Sequence, residues 1–130
     1  MKPGQYRCAS AIYVFKNGHG ILMDCAEGSY GQICDHFRDP KAVAECLIKT
    51  KVVFITHLHG DHQLGILKFM KERDLLLTEE DAGGKNILYV ITPSPMMEWM
   101  EAFVDDSIKD KSNIVLIPSK QLNPESNYYY

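Results

Sequence analysis

Phe54-Ile55-Thr56-His57-Leu58-His59-Gly60-Asp61-His62-Gln63-Leu64-Gly65 is the stretch on which the reading of this chain turns. Its core has the form HxHxDH, and the apolar, β-branched run over residues 51–55 reads as a buried strand leading into it. Residue types that bind metals therefore sit at the carboxyl end of a strand. Alternation leaves His57 and His59 on one side of the extended backbone, where both imidazoles can reach one cation, and Gly60 gives room for a close turn. Asp61 and His62 then face a second position. Imidazoles with a carboxylate suit borderline divalent ions, zinc first, then manganese or iron. Two such ions about 3.5–4 Å apart lower the pKa of water held between them, which is hydrolytic chemistry. A packing role explains the cluster badly, because three histidines and an aspartate within six positions would each bury a polar group.

Outward from this stretch, the 130 residues carry 45% hydrophobic content, enough for one core and one domain or part of one. The net charge of -3 says little about nucleic acid; only Lys49, Lys51, Lys68, Lys71 and Arg73 come near to a basic patch, and by default they are a solvated face. Cys8, Cys25, Cys34 and Cys46 form no CxxC pair and no secretory signal is present, so reduced thiols and an intracellular protein are expected. No stretch is apolar and long enough for a membrane span.

Residues 10–16 and 21–24 flank Asn17-Gly18 and read as a hairpin, with His19 in its turn. Helices are expected over residues 30–37 and 40–49, the latter capped by Asp39 with Pro40 at its first position. After the metal-ligand stretch, Leu64, Leu67 and Met70 opposite Lys68, Lys71 and Glu72 describe an amphipathic helix ending near Asp74, its amino end towards the site. Residues 78–86 read as a polar, variable loop. A strand over 87–91, a helix opened by Ser94-Pro95 with Met96, Met100, Phe103 and Val104 on one face, and a strand over 113–117 complete an α/β alternation.

Residues 56–62 resemble the signature of the metallo-β-lactamase superfamily, and Gln63-Leu64-Gly65 resembles its ribonuclease Z branch. Met23-Asp24-Cys25-Ala26-Glu27-Gly28-Ser29-Tyr30-Gly31-Gln32 is similar to the DCGEGT-x-GQ segment of tRNA 3′-processing endoribonucleases. Gln5-Tyr6-Arg7-Cys8-Ala9-Ser10 is similar to the KYRNxS stretch of the long form, and residues 114–122 to its downstream strand and MIPAK-like turn. The resemblance covers nearly the whole chain. It implies a metallo-β-lactamase-like fold, here half of an αββα sandwich with one mixed sheet and flanking helices. It implies two zinc ions in a complete site, with His57, His59, Asp61 and His62 as ligands, Asp61 also as general base, and Asp24, Glu27 and Thr56 bracing the ligands. The implied reaction is removal of the 3′ trailer from precursor tRNA. Other hydrolases of this fold, thioesterases and lactonases, share HxHxDH but not the segment from Asp24 to Gln32.

Departures accompany the resemblance, among them Ser29 for the family's threonine and the lack of its glycine-rich opening strand. Ala26 stands where the family has glycine, which would cost on the order of 1 kcal/mol if that backbone has positive φ. No histidine follows His62, although the family takes one further histidine for each metal and a bridging aspartate from downstream segments. Residues 1–130 are therefore expected to form the amino-terminal half of a catalytic domain, inactive alone, with the remaining half as partner. An uncovered sheet face would then favour self-association. The alternative is a non-catalytic interaction module that binds little metal.

Overall fold

Asn17 and Gly18, at φ of 53° and 80°, make the two-residue turn between β1 (Ile12–Lys16) and β2 (His19–Met23). Two consecutive positive φ values match the right-handed twist of a hairpin, and asparagine and glycine tolerate them best. The computed structural model describes residues 10–123. The expected stretch at Gln5–Ser10 thus lies outside the described residues except for Ser10.

From β2 the chain passes through α1 (Ser29–Phe37) and α2 (Pro40–Lys49) into β3 (Thr50–Phe54). Arg38 ends α1 in the left-handed region, its N–H returning to the Cys34 carbonyl. Asp39 caps α2 by accepting the Lys41 N–H at 3.0 Å, with Pro40 at the first helical position as expected. The ligand stretch folds as a short turn of helix, α3 (Gly60–Gln63), before α4 (Ile66–Leu76). Strand β4 (Leu88–Thr92), α5 (Met97–Ser107) and β5 (Ile114–Pro118) follow.

The five strands lie in chain order, β1-β2-β3-β4-β5, with β1 antiparallel to β2 and every other pair parallel. This is the mixed sheet with flanking helices that the resemblance implies. Leu22, Val53, Leu88 and Val90 turn to the helical side and pack with Val43, Leu47, Ile66, Phe69, Met70, Met96, Met100 and Val104. Their neighbours in the strands turn the other way. On that second face the register aligns Ile12 with Met23 and Phe54, and Val14 with Ile21, Val52, Tyr89 and Val115. Ile12 is 61% exposed, and Val14, Ile21, Met23 and Tyr89 are 40–46% exposed, so no layer of described residues covers this apolar face. No helix among the described residues is long and apolar enough to cross a membrane.

Several expectations are corrected. His19 begins β2 opposite Lys16 and is not in the turn. The buried face of α4 is Ile66, Phe69, Met70, Arg73 and Asp74, whereas Leu64 is 52% exposed. Around a helix Leu64 lies about 200° from Ile66, so the stripe drawn through Leu64, Leu67 and Met70 is rotated off the buried face. Residues 78–86 are polar but anchored. Arg73, 1% exposed, donates from Nε to the Leu47 carbonyl at 3.1 Å. Its Nη2 reaches the Asn86 carbonyl at 2.9 Å and the Asn86 Oδ1 at 2.8 Å. Burial pulls the Arg73 guanidinium down to about 10, against the pull of nearby Asp81 and Asp74. Cys25, Cys34 and Cys46 are free thiols; Cys8 lies outside the described residues.

Candidate metal centre

The site is built where β2 and β3 end side by side, since parallel neighbours deliver their carboxyl ends to one edge of the sheet. The Asp24 N–H donates to the Phe54 carbonyl and the Ile55 N–H to the Ile91 carbonyl, each at 2.8 Å, carrying the pairing one residue past each strand. Beyond this, the loop after β2 and the ligand stretch are stitched directly. Cys25 N–H donates to the His62 carbonyl and Gly65 N–H to the Cys25 carbonyl, each at 2.8 Å. Gly65 makes the closeness possible: a Cβ there would lie 1.9 Å from the Ala26 carbonyl oxygen, so no other residue fits without moving backbone. Ala26 itself is not among the residues with positive φ, so its replacement of glycine carries no left-handed strain.

Asp24 does have positive φ, 59°, in the region that aspartate tolerates better than most non-glycine residues. The turn aims its carboxylate under the ligand stretch. Oδ1 accepts the Thr56 N–H at 2.8 Å and lies 2.9 Å from the Thr56 Oγ1; Oδ2 lies 3.0 Å from the same hydroxyl and 2.8 Å from His62 Nδ1. Burial works to raise the Asp24 pKa, but the hydrogen bonds from Thr56 and His62 outweigh it and hold the carboxyl below its ordinary value. Thr56 Oγ1 also lies 2.8 Å from His57 Nδ1.

The ring centroids of His57 and His62 are 4.0 Å apart, and those of His57 and His59 4.6 Å. Asp24, His57 and His62 each offer a ligand atom within 4.8 Å of the others, the one group of metal-binding size among the described residues. Asp61 carries its carboxylate at the surface, 61% exposed, with Oδ2 3.7 Å from His62 Nε2. His59 precedes α3 and is exposed. His57, His59, Asp61 and His62 thus lie on one short loop, with Asp24 and Thr56 beneath it. Glu27 does not join them: it is exposed and makes no hydrogen bond among the described residues, because the chain has turned outward by Gly28 at φ 87°. Ser10, which ends the stretch similar to KYRNxS but is not among the expected site residues, lies with Oγ 3.4 Å from His62 Nε2.

Imidazole nitrogens with carboxylate oxygens are a donor set that zinc accepts, and His57, His59, Asp61 and His62 offer them on one short loop, with the three ring centroids 4.0–6.5 Å apart. The residues present therefore fit a metal, in a shallow site open on the side of His59 and Asp61.

No family model matches the chain. Zinc phosphodiesterase ELAC protein 2 of Gorilla gorilla gorilla is 34% identical over 104 residues, which cover 78% of this chain and 12% of that protein. Among solved structures, a long form RNase Z from yeast has a TM-score of 0.71 at 21% identity, covering 92% of this chain and 16% of that one. Human tRNase Z, short form, has a TM-score of 0.66 at 22% identity, covering 91% and 41%. The chain spans about an eighth of the length of the curated relatives it matches.

Proposed function

As the chain belongs to the ribonuclease Z family, with a metallo-β-lactamase fold, we propose that it supplies the histidine-rich half of a zinc-dependent endoribonuclease site that removes the 3′ trailer from precursor tRNA. The observation that carries this reading is the convergence of Asp24, Thr56, His57 and His62 beside His59 and Asp61, where two strands end together. The relatives' names favour a phosphodiester substrate over the thioester or lactone of other hydrolases on this fold.

His57, His59, Asp61 and His62 would hold zinc, two ions in a complete site. When bound, zinc makes water a nucleophile near neutral pH and neutralises charge on phosphoryl oxygens. The chain's own residues set the geometry. Asp24 and Thr56 fix the imidazoles from below. Asp61, whose carboxylate is exposed beside His62, orients the attacking water and accepts its proton. The further histidines and bridging aspartate that a two-metal site of this family takes are assigned to a partner half of the domain, and the open face of the sheet, with Ile12, Val14, Ile21, Met23 and Tyr89, is where that half packs. Without it, the same face drives self-association.

The test is cleavage of a precursor tRNA carrying a 3′ trailer by a protein that contains this segment within a complete domain. Asp61→Ala should lower the rate by about 10²-fold or more, the lower range of general-base catalysis alone; a loss under about tenfold would overturn the role of Asp61. Residues 1–130 alone should not cleave. Metal-dependent cleavage by the isolated chain, abolished by Asp61→Ala, would overturn the division into halves.

A further inference from the structure

The geometry points to Thr56 as a positioning residue whose hydroxyl passes the orienting effect of Asp24 on to His57, so that one carboxylate sets the tautomer of two imidazoles; we infer this on the premise that the site binds metal. The protons available fix the direction of each bond. An ionised carboxylate only accepts hydrogen bonds, and a threonine hydroxyl has one proton and two lone pairs. Thr56 Oγ1 lies 2.9 Å and 3.0 Å from the two Asp24 oxygens and 2.8 Å from His57 Nδ1. If its proton pointed at His57, an oxygen lone pair would face the carboxylate with no proton between them. The proton therefore goes to Asp24, the lone pairs face His57, and His57 Nδ1–H is the donor.

His62 is fixed by the same carboxylate directly, since its Nδ1 lies 2.8 Å from Asp24 Oδ2 and must carry the proton. Both rings then leave Nε2 bare, the state a metal ligand needs. The arrangement distinguishes the three histidines. His62 depends on Asp24 directly, with Ser10 Oγ a more distant 3.4 Å from its Nε2, His57 depends on Asp24 through Thr56, and His59 has no hydrogen-bond partner for its ring among the described residues. The Thr56 backbone N–H holds Asp24 Oδ1 at 2.8 Å whatever the side chain is, so hydroxyl and backbone can be separated by substitution.

Long-range proton–nitrogen correlation spectra of the metal-free chain above the imidazole pKa read the tautomers directly, and zinc titration reads their consequence. The expected result is Nδ1–H at both His57 and His62 in the wild type and in Thr56→Ser. In Thr56→Val, His57 alone should lose that preference, and zinc affinity should fall by about 10–100-fold, the usual effect of removing a group that orients a ligand. Nε2–H at His57 in the wild type would overturn the inference even if Thr56→Val failed to fold. So would Thr56→Val binding zinc as tightly as the wild type. Failure of the wild-type chain to bind zinc, with both tautomers as expected, would support the relay and count against the metal reading of the site.

Discussion

Replacing Asp24 by alanine removes more than one bond. The side chain accepts the Thr56 N–H, the Thr56 hydroxyl and His62 Nδ1–H, all between 2.8 Å and 3.0 Å, and is 11% exposed. A hydrogen bond to a charged group contributes about 1.5–3 kcal/mol when buried, and about half that is reasonable at this shallow site, where water can reach the stranded donors. Three bonds then sum to about 2–4 kcal/mol. Alanine at φ 59° adds about 1 kcal/mol of left-handed strain that aspartate partly escapes. Asp24→Ala should therefore cost about 3–5 kcal/mol, a large share of the roughly 5–15 kcal/mol that holds a typical domain. Urea denaturation followed by circular dichroism gives the value. Asp24→Asn separates the causes: it keeps the turn and an acceptor for Thr56 but offers an amide N–H to His62 Nδ1–H. Its loss should be nearer 1–2 kcal/mol, that of one charged bond. An Asp24→Ala loss below about 1 kcal/mol would mean that the contacts under the ligand stretch do not hold the site together.

Gly65→Ala should destabilise by about 1–3 kcal/mol or more and loosen the site, because a Cβ 1.9 Å from the Ala26 carbonyl forces the two loops apart; thermal melting within 1 °C of the wild type would refute the close approach. Arg73→Met should cost about 2–4 kcal/mol by stranding the Leu47 carbonyl and Asn86, and Arg73→Lys should not rescue it, because a single ammonium replaces a planar fork that bridges two segments. Hydrogen exchange over residues 78–86 is the more specific readout, and unchanged protection there would disprove the anchoring. Asp81 is held below its ordinary carboxyl pKa of 3.8 by the Thr78 N–H first and by the Asn86 amide next. Its folded pKa is depressed, so its contribution is present above pH 3.8 and is lost as pH falls through the lower folded value. Asp81→Asn should accordingly flatten the acid end of the stability profile, and an unchanged acid limb would count against the capping of residues 79–81.

Local signals in the sequence carry most of the fold. Asn17-Gly18 can only be a tight turn between apolar runs, Asp39-Pro40 starts a helix by its own chemistry, and HxHxDH gathers ligand types that nothing else explains. What was hidden depends on contacts distant in sequence. Asp24 and Glu27 look like equivalent carboxylates three residues apart, yet a positive φ turns one under the ligands while the next turn sends the other into solvent. The misplaced stripe on α4 is a matter of choosing among apolar residues, since Leu64 is apolar but lies across the helix from Ile66. Gly65 is an ordinary loop glycine until Ala26 is seen pressed against it, a contact that ties the start of α4 to the loop after β2. Arg73 reads as a surface cation because its acceptors come from Leu47 and Asn86, which no periodicity links to it.

The order of the sheet repeats the order of the chain, and this bears on how the protein emerges from the ribosome. Each new strand finds its neighbour already made, so no strand must wait for a later one to be inserted beside it. Sequential addition keeps loop-closure costs short and limits the time an unpaired strand is open to other chains. The ligand stretch and the Asp24 turn that braces it come from the second and third strands to be synthesised. The end of the sheet that carries Asp24 and residues 56–62 can thus be assembled while the carboxyl-terminal third of this segment is still being translated.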